Sequence, residues 1–404
     1  MILLPQSVRA VGTISIPEVI PVKKRVLIFG SYVLVAVLAT VLTLTIVNFE
    51  VGLAPTKLEQ LENLIEERFI GEADQEAMED AAADAMVTAT GDRWSYYIPA
   101  SEYETYREQM ANAYVGVGIT IQVAEENAGF QIVSVEAGGP AEEAGLLAGD
   151  MLIMVDEQDV RGMDTSDVRN LVRGEEGTFV TMTVLRQGDH TSFKVERRKL
   201  ETPVAAYEML NDNVGLVTIY NFDSRCAEET IDAIEVLLEN GAEKLIFDVR
   251  NNPGGYASEL VKVLDYLLPE GELFRTVRYD GEENVDYSDE NHLDVPMAVL
   301  VNGSSYSAAE FFAAALSEYE AATIVGEQTC GKGYFQYTYQ LSDGSAVALS
   351  VGKYFTPSGK SLADVGITPD VVVKVDEETA SAIYYETLTP EEDPQIQAAL
   401  KALK

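Results

Sequence analysis

Three rhythms of apolar and polar residues succeed one another along the chain. Residues 26–47 form one continuous run without a charge. Over 56–113 the apolar positions fall at helical spacing: Leu58, Leu61, Leu64 and Ile65 line one stripe, and an alanine-rich stretch from Ala77 to Ala89 follows until Gly91-Asp92 breaks it. From 114 to 199 the runs become short (VGVGITIQV, GFQIVSV, DMLIMV, FVTMTVLR, SFKVER). Turn residues such as Gly138-Gly139-Pro140 and Gln187-Gly188-Asp189 separate them, and Asp164–Val172 is the one helix predicted among them. From Thr202 onward apolar strands (VGLVTIY, KLIFDV, MAVLVN, ATIVG, YFQYTYQL, AVALSVGKYF, DVVVKV) are interleaved with helices at Glu228–Leu238, Ser258–Leu268 and Ala308–Leu316. That alternation predicts a mixed sheet covered by helices. Residues 280–294 are acidic and polar, a surface loop or hairpin, and Asp393–Lys404 predicts a short terminal helix.

The pattern divides the chain into an N-terminal segment (1–25), an apolar span (26–47), a helical region (48–113), a β-rich module (114–199), a mixed α/β core (200–380) and a tail (381–404). The fold class expected is therefore α+β and multidomain. As a helix the apolar span would be ~33 Å long, against a bilayer core of ~30 Å. Lys23, Lys24 and Arg25 precede it and Glu50 follows, which predicts a single-pass cell-membrane anchor with everything after Val47 outside the cytoplasm. A cleaved signal peptide is the alternative. Its apolar core is ordinarily ~7–15 residues and ends in a small-residue site, which Asn48-Phe49-Glu50-Val51 does not offer.

Charge narrows the partners. The chain carries 28 basic and 67 acidic residues, a net charge of −39, and beyond Val47 it holds 24 of the former and 66 of the latter. Such a surface repels nucleic acid and anionic lipid alike, and is the surface of a soluble exported domain. Two cysteines, Cys226 and Cys330, are too few for a disulfide framework and read as free thiols, though an oxidising compartment would allow them to pair. No zinc-ligand spacing is present. His190 and His292 are the only histidines and both fall in polar turns, so a hydrolase built on this chain needs a base other than histidine.

Three segments carry candidate chemistry. Val299–Leu316 reads as buried strand, glycine turn and helix, with Ser307 at the junction where unpaired N–H groups and the positive helix end favour an alkoxide or oxyanion. Ser307-x-x-Glu310 is equally the pattern of a capping box. Gly331-Lys332-Gly333-Tyr334-Phe335-Gln336 opens an aromatic strand on which Lys332 and Gln336 share a face. The flanking glycines leave the backbone open around the ammonium, and an apolar pocket lowers a lysine from ~10.4 towards ~7–8, where it serves as a base. Leu245–Gly255 is a strand running into Pro253-Gly254-Gly255, where backbone N–H groups can approach a ligand, and Asp248 and Arg250 are placed to pair and pin that turn. In the β-rich module, Gly116-Val117-Gly118-Ile119 forms a loop at a strand edge suited to a terminal carboxylate and an added peptide strand.

Together these segments resemble the carboxyl-terminal processing peptidases, or tail-specific proteases, from about Lys57 to the end, and the β-rich module resembles a PDZ domain. The resemblance implies a ClpP/crotonase-like core, Ser307 as nucleophile, Lys332 as general base with Gln336 supporting it, and oxyanion donors at Gly255 and Ala308. It places peptide binding at Gly116, Val117, Gly118 and Ile119, and Arg173 in a context that contributes to gating in some relatives. Weaker matches are Asp92-Arg93-Trp94-Ser95-Tyr96-Tyr97 and Thr356-Pro357-Ser358-Gly359. Three departures stand out: Tyr306 where a small residue is usual, Ala309 for a serine, and Cys330 for a bulky apolar residue. The implied activity is a membrane-anchored serine endopeptidase cutting near C-terminal or unstructured segments of proteins, with no metal or organic cofactor, and with a homo-oligomer left open. Its rivals are an inert membrane-tethered peptide-binding adaptor and a hydrolase of small esters or amides.

Overall fold

The computed structural model describes residues 31–43, 55–124, 128–211 and 213–403. It falls into two units, residues 1–79 and 80–404. In the first, residues 31–43 form an exposed helix (α1). Helix α2 (Lys57–Arg68) opens with a capping box in which Thr56 N–H donates to Glu59 Oε2 at 2.6 Å and Glu59 N–H to Thr56 Oγ1 at 3.2 Å. Helix α3 (Gln75–Thr88) follows. The apolar span 26–47 lies partly outside the described residues. Its described part is ~20 Å long, and among the described residues no helix is long and apolar enough to cross a membrane.

The second unit takes in the rest of α3 from Asp80, then a short strand, β1 (Tyr96–Ile98), and helix α4 (Ala100–Met110). The β-rich module comes next: β2 (Ala113–Gly116), β3 (Ile119–Val123), β4 (Phe130–Val135), α5 (Pro140–Ala144), β5 (Met151–Val155), β6 (Gln158–Asp159), α6 (Thr165–Val172), β7 (Phe179–Arg186), β8 (Asp189–Glu196) and β9 (Arg198–Glu201). Alternate residues of its strands, among them Phe130, Ile132, Val180, Met182 and Val184, point into a private core that α6 closes with Val168 and Val172. Antiparallel pairing of β2 with β9 draws the entry and exit of the module together.

The core continues with β10 (Ala205–Asn211), β11 (Val214–Ile219), α7 (Cys226–Glu239), β12 (Lys244–Asp248), α8 (Ala257–Leu267), β13 (Gly271–Arg278), β14 (Glu283–Ser288), β15 (Met297–Val301), α9 (Ala308–Glu318), β16 (Ala322–Gly326), β17 (Tyr334–Gln340), β18 (Ala346–Phe355), β19 (Val371–Val372), α10 (Glu377–Tyr384) and α11 (Pro394–Ala402). One sheet runs β10-β11-β12-β15-β16-β19, parallel except for its β10 edge. Its strands are apolar on both faces because both are covered. Val217, Phe247, Val299 and Ile324 face helices α7, α8 and α9, whereas Leu216, Ile246, Leu300 and Val325 face α11. The second sheet is antiparallel, β1-β18-β13-β14 with β17 also on β18. Residues 283–288 of the acidic stretch thus complete a hairpin with β13.

Parallel strands deliver their carboxyl ends to one edge of a sheet, which is where ligands bind in open α/β folds. Here β11, β12, β15 and β16 are neighbours, and the loops leaving them carry residues 220–225, 249–256, 302–307 and 327–333. The second of these loops is pinned from below. Arg250, nearly fully buried, donates to Asp248 (2.9 Å to Oδ1, 2.5 Å to Oδ2), to Asp393 Oδ2 at 2.8 Å and to Gln395 Oε1 at 2.9 Å. Asp393 also caps α11, accepting from Gln395 and Ile396 N–H at 2.8 and 3.1 Å. The two acids hold the guanidinium well above even its ordinary value against the opposing effect of burial. Removing one partner of a buried pair costs ~3–5 kcal/mol, and losing a cap ~1 kcal/mol. Asp393→Ala is therefore expected to lower the urea midpoint of the core clearly, while Glu104→Ala, at an exposed pair with Arg107, leaves it within error.

Candidate active site

A cleft of about 1170 Å³ opens at the carboxyl ends of the parallel strands, and Ser307, Lys332, Gln336, Gly254 and Gly255 all line it. Ser307 is 5 % exposed and precedes α9 in a strained conformation, φ 58° and ψ −127°. An ordinary N-cap residue is extended, so this turn is not explained by capping alone; strain of this kind is held only where the surroundings over-determine it.

The surroundings are a carboxylate. Glu310 is fully buried, and it accepts from Ser307 N–H (3.1 Å), Lys332 N–H (2.8 Å), Gly331 N–H (2.7 Å) and the Thr329 hydroxyl (2.5 Å). Burial raises its carboxyl above the ordinary range, and these four donors offset only part of that. Four donors converging on two oxygens favour the ionised form, which has acceptor sites for all of them. Its Oε2 takes both the Ser307 and the Lys332 amides, so one oxygen atom fixes the two backbones side by side.

The turn after β12 is locked to the same place. Asn251 N–H donates to Asn302 Oδ1 and Asn302 Nδ2 to Asn251 Oδ1, at 3.0 and 2.9 Å. Tyr306 N–H donates to the Asn252 carbonyl at 3.1 Å, and Ser305 Oγ to the Val249 carbonyl at 2.7 Å. Gly254 (φ +88°) must be glycine, since a Cβ there would sit 2.7 Å from Ser307 Cβ. Gly255 bridges Phe222 with its neighbours' groups: Phe222 N–H donates to Gly254 O, and Tyr256 N–H to Phe222 O. Among the described residues the N–H groups of Gly255 and Ala308 donate to no acceptor, and both belong to residues beside Ser307 or Gly254.

Lys332 lies just before β17, partly buried, with Nζ 4.9 Å from the Trp94 ring centre and 5.7 Å from that of Tyr306. The two rings are 6.0 Å apart. Among the described residues Nζ forms no hydrogen bond or ion pair. Burial lowers its pKa to about 8, opposed by the charges of Asp92, Cys330 and Glu310. Asp92 itself is held below the usual carboxylate range: burial raises it, but hydrogen bonds from Ser350, Ser95 and the Trp94 amide outweigh this. Burial raises the Tyr354 phenol, and the neighbouring Ser307 hydroxyl lowers it in part.

Several sequence expectations change here. Gln336 does share the cleft with Lys332, but its amide donates to Ser350 Oγ at 2.9 Å and Tyr334 O at 3.3 Å rather than holding the lysine. The glycines flanking Lys332 serve backbone packing rather than openness: a Cβ on Gly333 would meet Ala363 N at 2.5 Å. Residues 92–98 belong to the site, because Tyr96 pairs with Ala348 of β18. Trp94, Asp92 and Tyr354 were missed as site residues. The first two lay in the Asp92–Tyr97 match, whereas Tyr354 had no pattern to mark it.

In the β-rich module, Gly116 ends β2 opposite Arg198, and Ile119 starts β3 opposite Val135. Between them Val117 and Gly118 turn their carbonyls inward to Ala141 and Glu136 N–H, both 2.9 Å, while their own N–H groups donate to no acceptor among the described residues. Arg173 is not in this loop. It donates to Glu108 of α4 at 2.5 Å and lies 5.5 Å from the Tyr114 ring centre. Cys226 and Cys330 are free thiols.

Comparison with known proteins agrees with this architecture. Residues 213–373 match Peptidase family S41, and residues 131–186 match a PDZ domain. The "Carboxy-terminal processing protease CtpA" of Bacillus subtilis is 31% identical over 362 residues, covering 86% of this chain and 77% of that protein. A "Probable CtpA-like serine protease" of Staphylococcus aureus (strain COL) is 29% identical over 358 residues, covering 86% and 71%. The solved photosystem II D1 C-terminal processing protease is 28% identical, covers 78% of this chain and 86% of its own, and superimposes with a TM-score of 0.46. The protein is thus a serine peptidase carrying a PDZ domain. It belongs to peptidase family S41, with the carboxy-terminal processing proteases.

Competitive labelling of amines over a pH series should find Lys332 titrating near 8, well below the other lysines. Asp92→Asn removes a negative neighbour that favours the ammonium, so the midpoint is expected to move lower still.

Proposed function

We propose that the protein is a membrane-anchored, extracytoplasmic endopeptidase that cuts near C-terminal or unstructured segments of other proteins with a Ser307–Lys332 dyad. The observation that carries this reading is the shared Glu310 Oε2, which ties a strained serine and a desolvated lysine to one point in one cleft. In the first step the neutral Lys332 amine turns from the Trp94 ring and takes the proton of the Ser307 hydroxyl, and Oγ attacks the scissile carbonyl. The oxyanion is received by the N–H groups of Gly255 and Ala308, each such donor being worth ~3–4 kcal/mol in comparable sites. The Lys332 ammonium then returns its proton to the leaving amine, and water, deprotonated by the same amine, hydrolyses the acyl-enzyme. Gln336 supports the site through Ser350, which touches the Asp92 that balances the lysine.

The PDZ domain offers the substrate tail the free N–H groups of the Gly116–Ile119 loop. Its Arg173 reaches Glu108 on α4, and α4 also supplies Tyr103, Tyr106 and Met110 to the cleft. Loading of the PDZ domain is thereby coupled to the cleft wall. Residues 26–47, preceded by three basic residues, anchor the chain.

Ser307→Ala and Lys332→Ala are each expected to abolish hydrolysis of unfolded casein with unchanged circular dichroism; full activity in either rules out the dyad. Because only the neutral amine is a base, kcat/KM should climb with pH through about 8, in line with the Lys332 shift. The anchor is tested by alkaline carbonate extraction of the expressed full chain: protein released from the membranes refutes it.

A further inference from the structure

The cleft contains a buried carboxyl group that the reaction leaves idle. Asp223 follows Phe222, the residue bridged to Gly255, and so runs beside the turn that abuts Ser307. Its side chain lines the cleft but is only 4 % exposed. Oδ1 is wholly shielded, and among the described residues the carboxylate accepts no hydrogen bond and joins no ion pair. The buried acids around it are all compensated: Glu310 by four donors, Asp248 and Asp393 by Arg250. Burial alone lifts the Asp223 carboxyl to about 7. The local fold does not need the acid, because what Asp223 contributes to the turn is backbone: its N–H donates to Asn221 Oδ1 at 2.9 Å, and its carbonyl accepts from Cys226 N–H at 3.1 Å.

The cations nearby do not neutralise it. Arg93 stacks 4.4 Å over Trp94, Arg107 pairs with Glu104 at the surface, and Arg278 pairs with Asp280 and Glu282. What does flank it is aromatic. The Tyr256 phenol, raised by burial, is raised again by the Asp223 charge, and Tyr96 feels the same charge after burial, Tyr106 and Tyr306. An unpaired carboxylate in a cleft also lined by Tyr96, Tyr106 and Tyr256 matches a long side chain with an apolar stem and a cationic tip. Its desolvation is already met before the ligand arrives, so the cation meets little further opposition from that side.

We propose that Asp223 is the acidic floor of a substrate subsite beside Ser307 that takes a lysine or arginine side chain within two residues of the scissile bond. This rests on the peptidase reading above, and its test has two arms so that the two can fail separately. In the first, casein is digested with the full chain and the cut sites are mapped by mass spectrometry. Lysine and arginine should be enriched severalfold at one position near the cut, and Asp223→Asn should reduce them to their background frequency. In the second, the full-length Ser307→Ala protein is applied to a peptide array in which one position carries Lys, Arg, norleucine or Glu. Lys and Arg should bind ~tenfold better than norleucine, the scale of one well-placed charge pair, and adding Asp223→Asn should level them. Cuts without a basic bias, or an array bias that survives Asp223→Asn, overturn the subsite. An Asp223-dependent array bias with no cleavage by the unmutated protein leaves the subsite standing and overturns the peptidase reading; no cleavage and no bias overturns both. Folding is checked in the same samples: Asp223→Asn removes an uncompensated buried acid and should raise the melting temperature at pH 8, whereas a fall would mean the carboxylate had a partner after all.

Discussion

One buried carboxylate governs the geometry of this peptidase. Glu310 is cut off from water, and an ionised acid survives there only if its oxygens are saturated by donors. Three of the four donors are backbone N–H groups, drawn from the turn before α9 and the loop before β17. Displacing either segment would strand a charge in the interior, so the penalty falls on any arrangement that separates the serine from the lysine. The positive φ of Ser307 is tolerated for the same reason. The reciprocal Asn251–Asn302 pair between the 249–256 and 302–307 loops extends the lattice to the Pro-Gly-Gly turn. The Ser307 hydroxyl and the Lys332 amine contribute little to this scaffold, which is held by their backbones.

The lysine illustrates a balance rather than a single effect. Loss of water favours the neutral amine, while Asp92, Cys330 and Glu310 favour the ammonium, and the outcome near 8 leaves ~a tenth of the molecules with a neutral amine at pH 7. Trp94 and Tyr306 accept the remaining ammonium on their faces, a contact that is attractive yet supplies no hydrogen-bond acceptor to lock it. The unusual Tyr306 is in this sense a resting place for the charge.

Much of this was legible in the residues. Strand β16 was delimited to the residue, and β11, β12 and β15 to within one or two, because strands buried on both faces are unbroken apolar runs ended by Gly, Asn or Asp. Ser307, Lys332 and the Pro-Gly-Gly turn could be picked out because each follows such a strand. Strand β10 was missed: AAYEMLN is rich in helix formers, and only its pairing with β11 makes it extended. Strand β13 was missed because GELFRTVR mixes charge into its alternation. The three residues of β1 are too few to show any period, which is why the site's Trp94 and Asp92 were left among the weaker matches. Gln336 lines the cleft but does not reach the lysine amine, because a bulge between Phe335 and Gln336 breaks the alternation assumed to carry it alongside Lys332.

The anchoring of Arg250 by Asp393 joins two parts of the chain 143 residues apart. The guanidinium beneath the turn after β12 has its second carboxylate only while α11, which Asp393 caps, is docked on the parallel sheet. Undocking this distal helix would leave a half-paired cation buried under the loop that abuts Ser307. The cleft is thereby made to sense the seating of a helix on the opposite face of the sheet.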